Sequence, residues 1–332
     1  MNMKEWITGV INNPQRIAIP IMTHPGIEII GNTVLDAVTD GEIHAEAVIT
    51  LSQRFPSAAS TVIMDLTVEA EAFGCAVNFS RDEVPTVKSR LVSCIEEVQS
   101  LSIPSLSAGR VPQFLLANHL TAASINNKPV LGGCIGPYSL AGRLFDMTEI
   151  MIALYTEPET VRLLLDKCTQ FLIHYGSALK SAGVDGIVIA EPAAGLLSND
   201  DCMLYSSMYV KQIVNALQDN NFSVFLHNCG NKGHCTPAML YSGAHGYHFG
   251  NAANMIDALE SCPPDVLVMG NLDPVSIFKM STPAQIKQST KHLLEQTSRY
   301  RNYVLSSGCD VPPHVSDENI AAFYEALAEF ND

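Results

Sequence analysis

The sequence is poor in basic residues. Its 332 residues include 19 Lys and Arg against 34 Asp and Glu, which gives a formal net charge of −15 at pH 7. Proteins that bind nucleic acid or an anionic membrane surface do so largely through basic residues that contact phosphates. We therefore expect neither nucleic acid nor a membrane surface as a partner.

Long apolar runs and the features of a leader segment are also missing. No apolar stretch approaches the roughly 18 to 20 residues that span a bilayer. Residues 1–7 include an acidic residue and form neither a continuous apolar region nor an Ala-x-Ala site, so we expect a cytoplasmic protein without a signal peptide. The nine cysteines are an odd number at irregular spacing, which favours metal binding or thiol chemistry over a disulfide framework.

Eight short apolar runs alternate with stretches of helical periodicity. Because the runs are almost continuously hydrophobic, they are typical of parallel strands buried on both faces. Repeated β and α units of this kind predict an α/β fold, namely a single-domain (β/α)₈ TIM barrel over residues 1–332, with an open doubly wound sheet as the alternative. The predicted strands are 17–22, 61–65, 129–134, 184–190, 222–226, 246–249, 266–270 and 303–306.

Three helices have recognisable starts in the sequence. Thr156-Glu157-Pro158-Glu159 and Thr282-Pro283-Ala284-Gln285 resemble capping boxes with Pro in the first turn, and Ser316 precedes two acidic residues. These patterns predict helices that begin at the three positions.

One interval is too long for a single crossover helix. The predicted second and third strands are separated by residues 69–128. This interval is expected to form an excursion over the barrel mouth, with an extended piece near 76–79 and a helix near 87–101.

Polar residues follow the predicted strands, at the face where (β/α)₈ barrels carry their active sites. His227 and Cys229 follow the fifth strand and point to the same side if the chain is extended, while Cys309 follows the eighth strand. One imidazole and two thiolates suit zinc with an open position. The alternative is that these are buried core residues, since cysteine is among the most buried residue types. Three weaker candidates, for which packing is favoured, are Cys134, Cys235 and His248.

The charge of such a zinc site indicates its chemistry. Zn²⁺ with two thiolates and a neutral imidazole has a formal charge of zero, so a coordinated substrate thiolate makes the complex anionic and its sulfur stays electron-rich. A three-histidine site is cationic and better suited to polarising a carbonyl or a water molecule. The residue set therefore favours activation of a nucleophile.

Two acidic residues are candidates for a role in catalysis. Asp65 closes an apolar strand, so it either faces a wet pocket or caps the following helix, predicted at 66–73. Glu191 likewise follows an apolar strand and either serves as a proton carrier or ligand or is simply solvated. The glycine-rich segment 132–137 matches no phosphate-binding motif, and a tight turn is favoured there.

Four segments resemble the uroporphyrinogen decarboxylase superfamily. They are most similar to its zinc-dependent methylcobamide:thiol (coenzyme M type) methyltransferase branch, and the resemblance extends from about Trp6 to the C-terminus. It implies a (β/α)₈ barrel in which His227, Cys229 and Cys309 bind zinc. The segments are Leu-His-Asn-Cys-Gly at 226–230, Ser-Ser-Gly-Cys-Asp-Val-Pro-Pro at 306–313, Asp-Leu-Thr-Val-Glu-Ala-Glu at 65–71 and Gly-Pro at 136–137.

The sequence departs from the porphyrinogen decarboxylases and from the cobalamin-independent methionine synthases, which carry a related barrel and zinc set. Porphyrinogen decarboxylases have an Arg-rich segment after the first strand that holds substrate carboxylates, whereas residues 22–28 contain no Arg. Cobalamin-independent methionine synthases are far longer and have a Glu ligand in the sixth-strand region, where this chain has Gly250-Asn251.

The resemblance therefore implies an enzyme that moves a methyl group from a methylated corrinoid to a small thiol or similar acceptor. The corrinoid (methylcobamide) is expected to arrive on a partner corrinoid protein, because no Asp-x-His-x-x-Gly segment occurs. One alternative is a metal-independent lyase for a carboxylated tetrapyrrole, in which Asp65 stabilises a cationic intermediate. Another is a protein that only binds corrinoid or zinc.

Overall fold

The computed structural model describes all residues, 1–332, and centres on a parallel sheet. Seven strands pair in the order β1-β4-β5-β6-β7-β8-β9, and a separate two-stranded antiparallel sheet is formed by β2 and β3. An α/β fold is therefore confirmed. The strands are β1 Ser60–Thr61, β2 Val77–Asn78, β3 Thr86–Val87, β4 Val130–Ile135, β5 Gly186–Ala190, β6 Ser223–Asn228, β7 Gly246–Phe249, β8 Leu267–Leu272 and β9 Tyr303–Ser307.

Helices connect the strands of the main sheet, as parallel pairing requires. None of them combines the length and the hydropathy needed to cross a membrane. The α-helices are Met3–Asn12, His24–Ile29, Val34–Thr39, Gly41–Arg54, Val68–Phe73, Ile95–Ser100, Val111–Ser124, Pro137–Phe145, Met147–Thr156, Pro158–Ala182, Asn199–Cys202, Met208–Leu217, Thr236–Tyr241, Met255–Ser261, Pro283–Gln296 and Asp317–Asn331, with a 3₁₀ turn at Pro192–Leu196 and π turns at Met203–Ser207 and Pro274–Lys279.

The first predicted strand, 17–22, does not form as a regular strand. A single parallel bridge joins Ala18 to Leu305 of β9. On its other side, the Ala18 carbonyl accepts a hydrogen bond from the amide of Ala58, just before β1. Pro20 has no N–H, so the ladder of hydrogen bonds cannot continue through it. The segment lies between the two edges of the sheet without completing an eighth regular strand.

The second predicted strand, 61–65, ends earlier than expected, at Thr61. The Val62 amide still donates to Leu131 of β4, but the Ile63 amide donates to Nε2 of the buried His44 imidazole instead of to a strand. This side-chain contact draws the chain away from the sheet. Asp65 therefore lies in a loop and does not close a strand.

The other six predicted strands are confirmed with boundaries that shift by two residues or fewer. The extension of β6 to Asn228 places His227 inside the strand rather than after it. The helix starts at Thr282 and Ser316 are confirmed by their side-chain caps. The third predicted helix is present as Pro158–Ala182, but its N-cap is Glu157 rather than Thr156, because Thr156 ends the preceding helix with its hydroxyl bonded to the Ile152 carbonyl.

The excursion at 69–128 contains more structure than its sequence indicates. The predicted extended piece near 76–79 is present as β2 and pairs with β3, which includes Val87. The helix predicted at 87–101 is shorter than expected and spans Ile95–Ser100. A helix at Val111–Ser124 was not predicted.

The inner face of the sheet changes from apolar to polar along the strands. Phe225 of β6 and Val304 of β9 belong to a buried apolar cluster against which Met3 and Ile7 of the first helix pack. Residues two positions further along a strand share the same face. The next inward side chains are therefore those of His227 and Ser306, at the carboxyl ends of the strands.

Candidate metal centre

Three of the predicted site residues converge at the carboxyl ends of β6 and β9. The ligand atoms of His227, Cys229 and Cys309 all lie within 4.8 Å of one another, and Nε2 of His227 is 3.7 Å from Sγ of Cys309. Zn–S and Zn–N bonds of about 2.3 and 2.1 Å in a tetrahedron place such a nitrogen and sulfur about 3.6 Å apart. The donor set and its spacing thus fit zinc.

Local sequence explains how the two cysteines approach each other. Cys229 is the first residue after β6, two positions beyond His227, and Cys309 follows β9 after one glycine. A Cβ at Gly308 would lie 2.5 Å from the Asn251 amide nitrogen, and one at Gly250 would lie 2.5 Å from the Cys229 carbonyl oxygen. Glycine at both positions lets the loops that carry the ligands pack closely.

The two thiols affect each other's pKa in the metal-free site. A hydrogen bond from Cys309 lowers the pKa of Cys229. The same contact raises the pKa of Cys309, and burial acts in the same direction. Cys309 is therefore the harder of the two thiols to deprotonate.

A mainly apolar cleft of about 80 Å³ opens beside these three residues. No Lys or Arg lines it, and its acidic group is Asp310. The carboxylate of Asp310 accepts a hydrogen bond from Thr23 at 2.9 Å and lies 3.2 Å from Nδ1 of His24. Although burial lowers the pKa of His24, the Asp310 carboxylate raises it above its usual value. The other lining residues are Ile21, Met64, Leu66, Ala190 and Pro192.

His248, which the sequence favoured as a packing residue, contacts the predicted site. Its Nδ1 lies 2.8 Å from Nδ1 of His227, and both side chains are buried. His227 of β6 and His248 of β7 are directly paired in the sheet register. Only the strand register reveals this contact, since the two residues are 21 positions apart.

Asp65 is not placed in the cleft, and it does not cap the next helix. Its side chain is 1% exposed and forms a 2.5 Å ion pair with Nη1 of Arg110. Its other oxygen accepts from the amide and hydroxyl of Thr67, which occupies the cap of helix Val68–Phe73. Arg110 comes from the excursion and also pairs with Glu71 at 2.6 Å, so these charges fasten the excursion to the loop after β1.

Glu191 is buried behind the cleft. Its carboxyl accepts hydrogen bonds from the amide of Ser139 at 2.8 Å and from the hydroxyl of Ser206. Burial raises the pKa of Glu191 to about 7, and burial raises that of the nearby Glu69 to the same value. The contacts of Glu191 join the loops after β4 and β5.

The two remaining cysteine candidates lie away from the cluster. Cys134 is buried in β4, where burial raises its pKa well above the usual value. Cys235 donates to the Leu197 carbonyl at 3.4 Å and is also buried. Neither belongs to the group of possible metal ligands.

Comparison with known proteins identifies the family. Residues 14–330 match the model of the family described as uroporphyrinogen decarboxylase (URO-D). The chain belongs to the uroporphyrinogen decarboxylase family. This family member is 29% identical over 273 residues to the methylcobamide:CoM methyltransferase MtbA of Methanosarcina acetivorans, with 81% of this chain and 79% of the relative covered. It is 26% identical over 298 residues to the uroporphyrinogen decarboxylase of Proteus mirabilis, with 86% and 82% covered.

Solved structures support the fold of this uroporphyrinogen decarboxylase family member. A methyltransferase from Methanosarcina mazei superposes with a TM-score of 0.89 at 22% identity, covering 100% of this chain and 99% of the other. A putative vitamin-B12-independent methionine synthase from Listeria monocytogenes superposes with a TM-score of 0.57 at 11% identity, covering 95% and 93%. At these identities the likeness establishes the fold alone.

Proposed function

We propose that this protein is a methyltransferase that transfers the methyl group of a methylated corrinoid to a thiol, with zinc held by His227, Cys229 and Cys309. The observation that carries the proposal is the donor set itself. One imidazole nitrogen and two thiol sulfurs lie within 4.8 Å of one another beside an apolar cleft. The similarity to a protein named methylcobamide:CoM methyltransferase supports the same activity.

The donor set matches the demands of thiol methylation. Zinc bound by two thiolates and a neutral imidazole would lower the pKa of a coordinated substrate thiol and supply it as a thiolate. His227, Cys229 and Cys309 line the cleft, so a thiol bound there lies beside them. Ile21 and Met64 add apolar side chains to the lining, which disfavours water near the reacting sulfur.

The methyl transfer is a direct displacement that needs no general base in the protein. The substrate sulfur loses its proton to solvent and attacks the methyl carbon of the methylcobamide in line with the cobalt–carbon bond. The new carbon–sulfur bond forms as the cobalt–carbon bond breaks, and the electron pair of the broken bond remains on cobalt, which goes from Co(III) to Co(I). The products are a thioether, the Co(I) corrinoid and a proton.

Decarboxylation of a tetrapyrrole is the alternative activity, favoured by relatives with that name. It requires a carboxylate free to stabilise a cationic intermediate and cations to hold the substrate carboxylates. Asp65 is instead neutralised by Arg110, and no Lys or Arg lines the cleft. These contacts favour methyl transfer.

We infer that the extended segment 17–22 takes the place of an eighth strand and completes a barrel, since it is bonded to Leu305 on one side and to Ala58 on the other. The chain then acts as one domain, with the excursion at 69–128 beside the mouth. The mouth accepts the corrinoid from a partner corrinoid protein.

The activity can be tested with methylcobalamin and a panel of small thiols under anaerobic conditions. We expect thiol-dependent loss of the methylcobalamin spectrum with formation of Co(I), and loss of this activity in His227→Ala because a ligand of the proposed zinc is removed. A corrinoid protein carrying methylcobamide should replace free methylcobalamin in a parallel assay. His245→Ala is the matched control, because His245 bonds to Ser223 at the opposite end of β6.

Inactivity with every thiol, even with the corrinoid protein, would contradict the proposal if the same preparation decarboxylated uroporphyrinogen. If His227→Ala and wild type were active at similar rates, the proposed zinc site would not be needed for methyl transfer. Thiol binding without turnover would favour a protein that only carries its ligand.

Zinc affinity is expected to rise with pH. The ligand thiols must be deprotonated to bind zinc, and the pKa of Cys309 is raised by its contact with Cys229 and by burial. Zinc uptake near pH 7 should therefore release more than one proton per ion. Calorimetry in buffers of different ionisation enthalpy counts these protons, and uptake without proton release between pH 6 and 8 would exclude a ligand set with two thiols.

A further inference from the structure

A chain of buried polar groups leads away from the proposed zinc ligand His227 across the inside of the sheet. Nδ1 of His227 lies 2.8 Å from Nδ1 of His248, and Nε2 of His248 lies 2.8 Å from Oγ of Ser306. Oγ of Ser306 in turn donates to the backbone carbonyl of Ile19 at 2.8 Å. All three side chains are at most 3% exposed, so no bulk water competes for these contacts.

The Ile19 carbonyl, at the end of this series of hydrogen bonds, determines the direction of every bond in it. The Ile19 carbonyl can only accept, so the single hydroxyl hydrogen of Ser306 is used on it. Ser306 must then accept from Nε2–H of His248. A neutral imidazole with its hydrogen on Nε2 has a bare Nδ1, which accepts from Nδ1–H of His227.

A doubly protonated His248 could not accept a hydrogen bond from His227. The groups around His248, however, include no anion that would stabilise a positive charge on its ring. A buried cation is costly unless an anion pairs with it. The histidines that form ion pairs are His24 and His314, whereas His248 contacts another imidazole and a hydroxyl. In this neutral arrangement the remaining ring nitrogen of the two histidines is Nε2 of His227, which lies 3.7 Å from Sγ of Cys309.

We propose that His248 is a positioning residue which, through Ser306 and the Ile19 carbonyl, holds His227 as the Nδ1–H tautomer and so presents a bare Nε2 to zinc. This inference rests on the proposed zinc site and deepens it. In many metal sites the partner of a ligating histidine is a carboxylate or a backbone carbonyl. A neutral imidazole in that place adds no negative charge, which keeps the ligand set formally neutral around the metal.

The same chain explains how the irregular first segment is linked to the site. Residues 17–22 lack a regular strand ladder, yet Ile19 is fastened to β9 by the Ser306 hydroxyl as well as by its own amide, which donates to Leu305. The position of the Ile19 carbonyl, and hence the tautomer of His227, therefore depends on this segment docking between the sheet edges.

The first test measures the tautomer in the metal-free protein. Long-range proton–nitrogen correlation spectra of the full chain labelled with ¹⁵N-histidine should show His227 protonated on Nδ1 and His248 protonated on Nε2, with both assigned by comparison with single variants. An Nε2–H tautomer at His227 would overturn the proposal. This measurement involves no metal, so its outcome is independent of whether the proposed methyl transfer occurs.

The second test measures zinc affinity by competition with a chromophoric chelator. His248→Phe keeps an aromatic ring but removes the acceptor, so zinc binding should weaken by about 10- to 100-fold, the usual effect of removing a partner of a ligating histidine. His248→Asn restores an acceptor near the Nδ1 position and should recover most of the affinity. His245→Phe, three residues earlier and bonded to Ser223, should bind zinc as wild type does.

The outcomes separate the two hypotheses. Wild-type protein that binds no zinc contradicts the proposed zinc site, whatever the tautomer. Wild-type protein that binds zinc, together with a His248→Phe variant of equal affinity, overturns the role of His248 alone. Equal weakening in the Phe and Asn variants would also overturn it, because a role in packing, rather than in accepting a hydrogen bond, would then be responsible.

Discussion

Replacement of Cys309 by alanine is expected to abolish stoichiometric zinc binding. Wild-type protein should contain about one zinc per chain, because three protein ligands with one open position are typical of a catalytic zinc site. Loss of one thiolate leaves one sulfur and one nitrogen, so the affinity should fall by more than the ~10- to 100-fold that loss of an outer partner causes. Metal content after dialysis against a weak chelator, measured by inductively coupled plasma mass spectrometry, tests this expectation. Cys229→Ala should behave in the same way.

A matched control separates this loss from a general effect of removing a thiol. Cys94 is also only partly buried, but it lies at the start of helix Ile95–Ser100 and outside the ligand cluster. Cys94→Ala should keep its zinc. The circular dichroism of all three variants should match that of wild type, since the apolar core does not include Cys229 or Cys309. Unchanged zinc in both ligand variants would show that the two cysteines are ordinary packing residues.

Replacement of Arg110 by methionine is expected to destabilise the protein by about 3 to 5 kcal/mol, the usual cost of removing one partner of a buried ion pair. Methionine fills much of the same space, but it leaves the carboxylate of Asp65, which is 1% exposed, without its counter-ion. Urea unfolding monitored by circular dichroism gives the change in free energy. The excursion should also become more sensitive to proteases, because Arg110 binds the excursion to the loop after β1 through Asp65 and Thr67.

Two further variants test the electrostatic cause. Asp65→Asn combined with Arg110→Met leaves no unpaired charge at Asp65 and should be more stable than Arg110→Met alone. Arg54 forms a 2.9 Å ion pair with Asp317 in which the side chains are 59% and 41% exposed, so Arg54→Met should cost less than about 1 kcal/mol. An Arg110→Met variant within about 1 kcal/mol of wild type would show that solvent or a rearranged loop already screens Asp65.

Short-range patterns in the sequence were sufficient to predict most of the sheet. Near-continuous apolar runs identified seven of the strand positions, because strands buried on both faces need apolar residues at successive positions. The run at 17–22 has the same composition but contains Pro20, which interrupts the ladder. The strand at 61–65 was predicted too long. The Ile63 amide donates to the His44 imidazole instead of to a strand, and His44 lies outside the run.

The candidate site was only partly visible in the sequence. The two-residue alternation of a strand places His227 and Cys229 on one side, and the pattern therefore predicted their proximity. Asp65 was interpreted as a cavity or capping residue because its partner, Arg110, lies 45 residues away in an excursion whose path no local pattern indicates. His248 was interpreted as packing for the same reason, because its contact with His227 depends on the register between two strands.

The sequence by itself thus determined seven strand positions, the polar residues near the strand ends and the proximity of His227 to Cys229, because all of these depend on periodicity over a few residues. Only the tertiary structure decided that Cys309 meets His227 across 82 positions, that Arg110 neutralises Asp65, and that His248 and Ser306 connect His227 to the Ile19 carbonyl. The contacts of His227 with Cys309 and of Ser306 with Ile19 join segments that come together only when the sheet curls and its two edges approach the same extended segment. The strand register sets their distances, and no local pattern of residues encodes it.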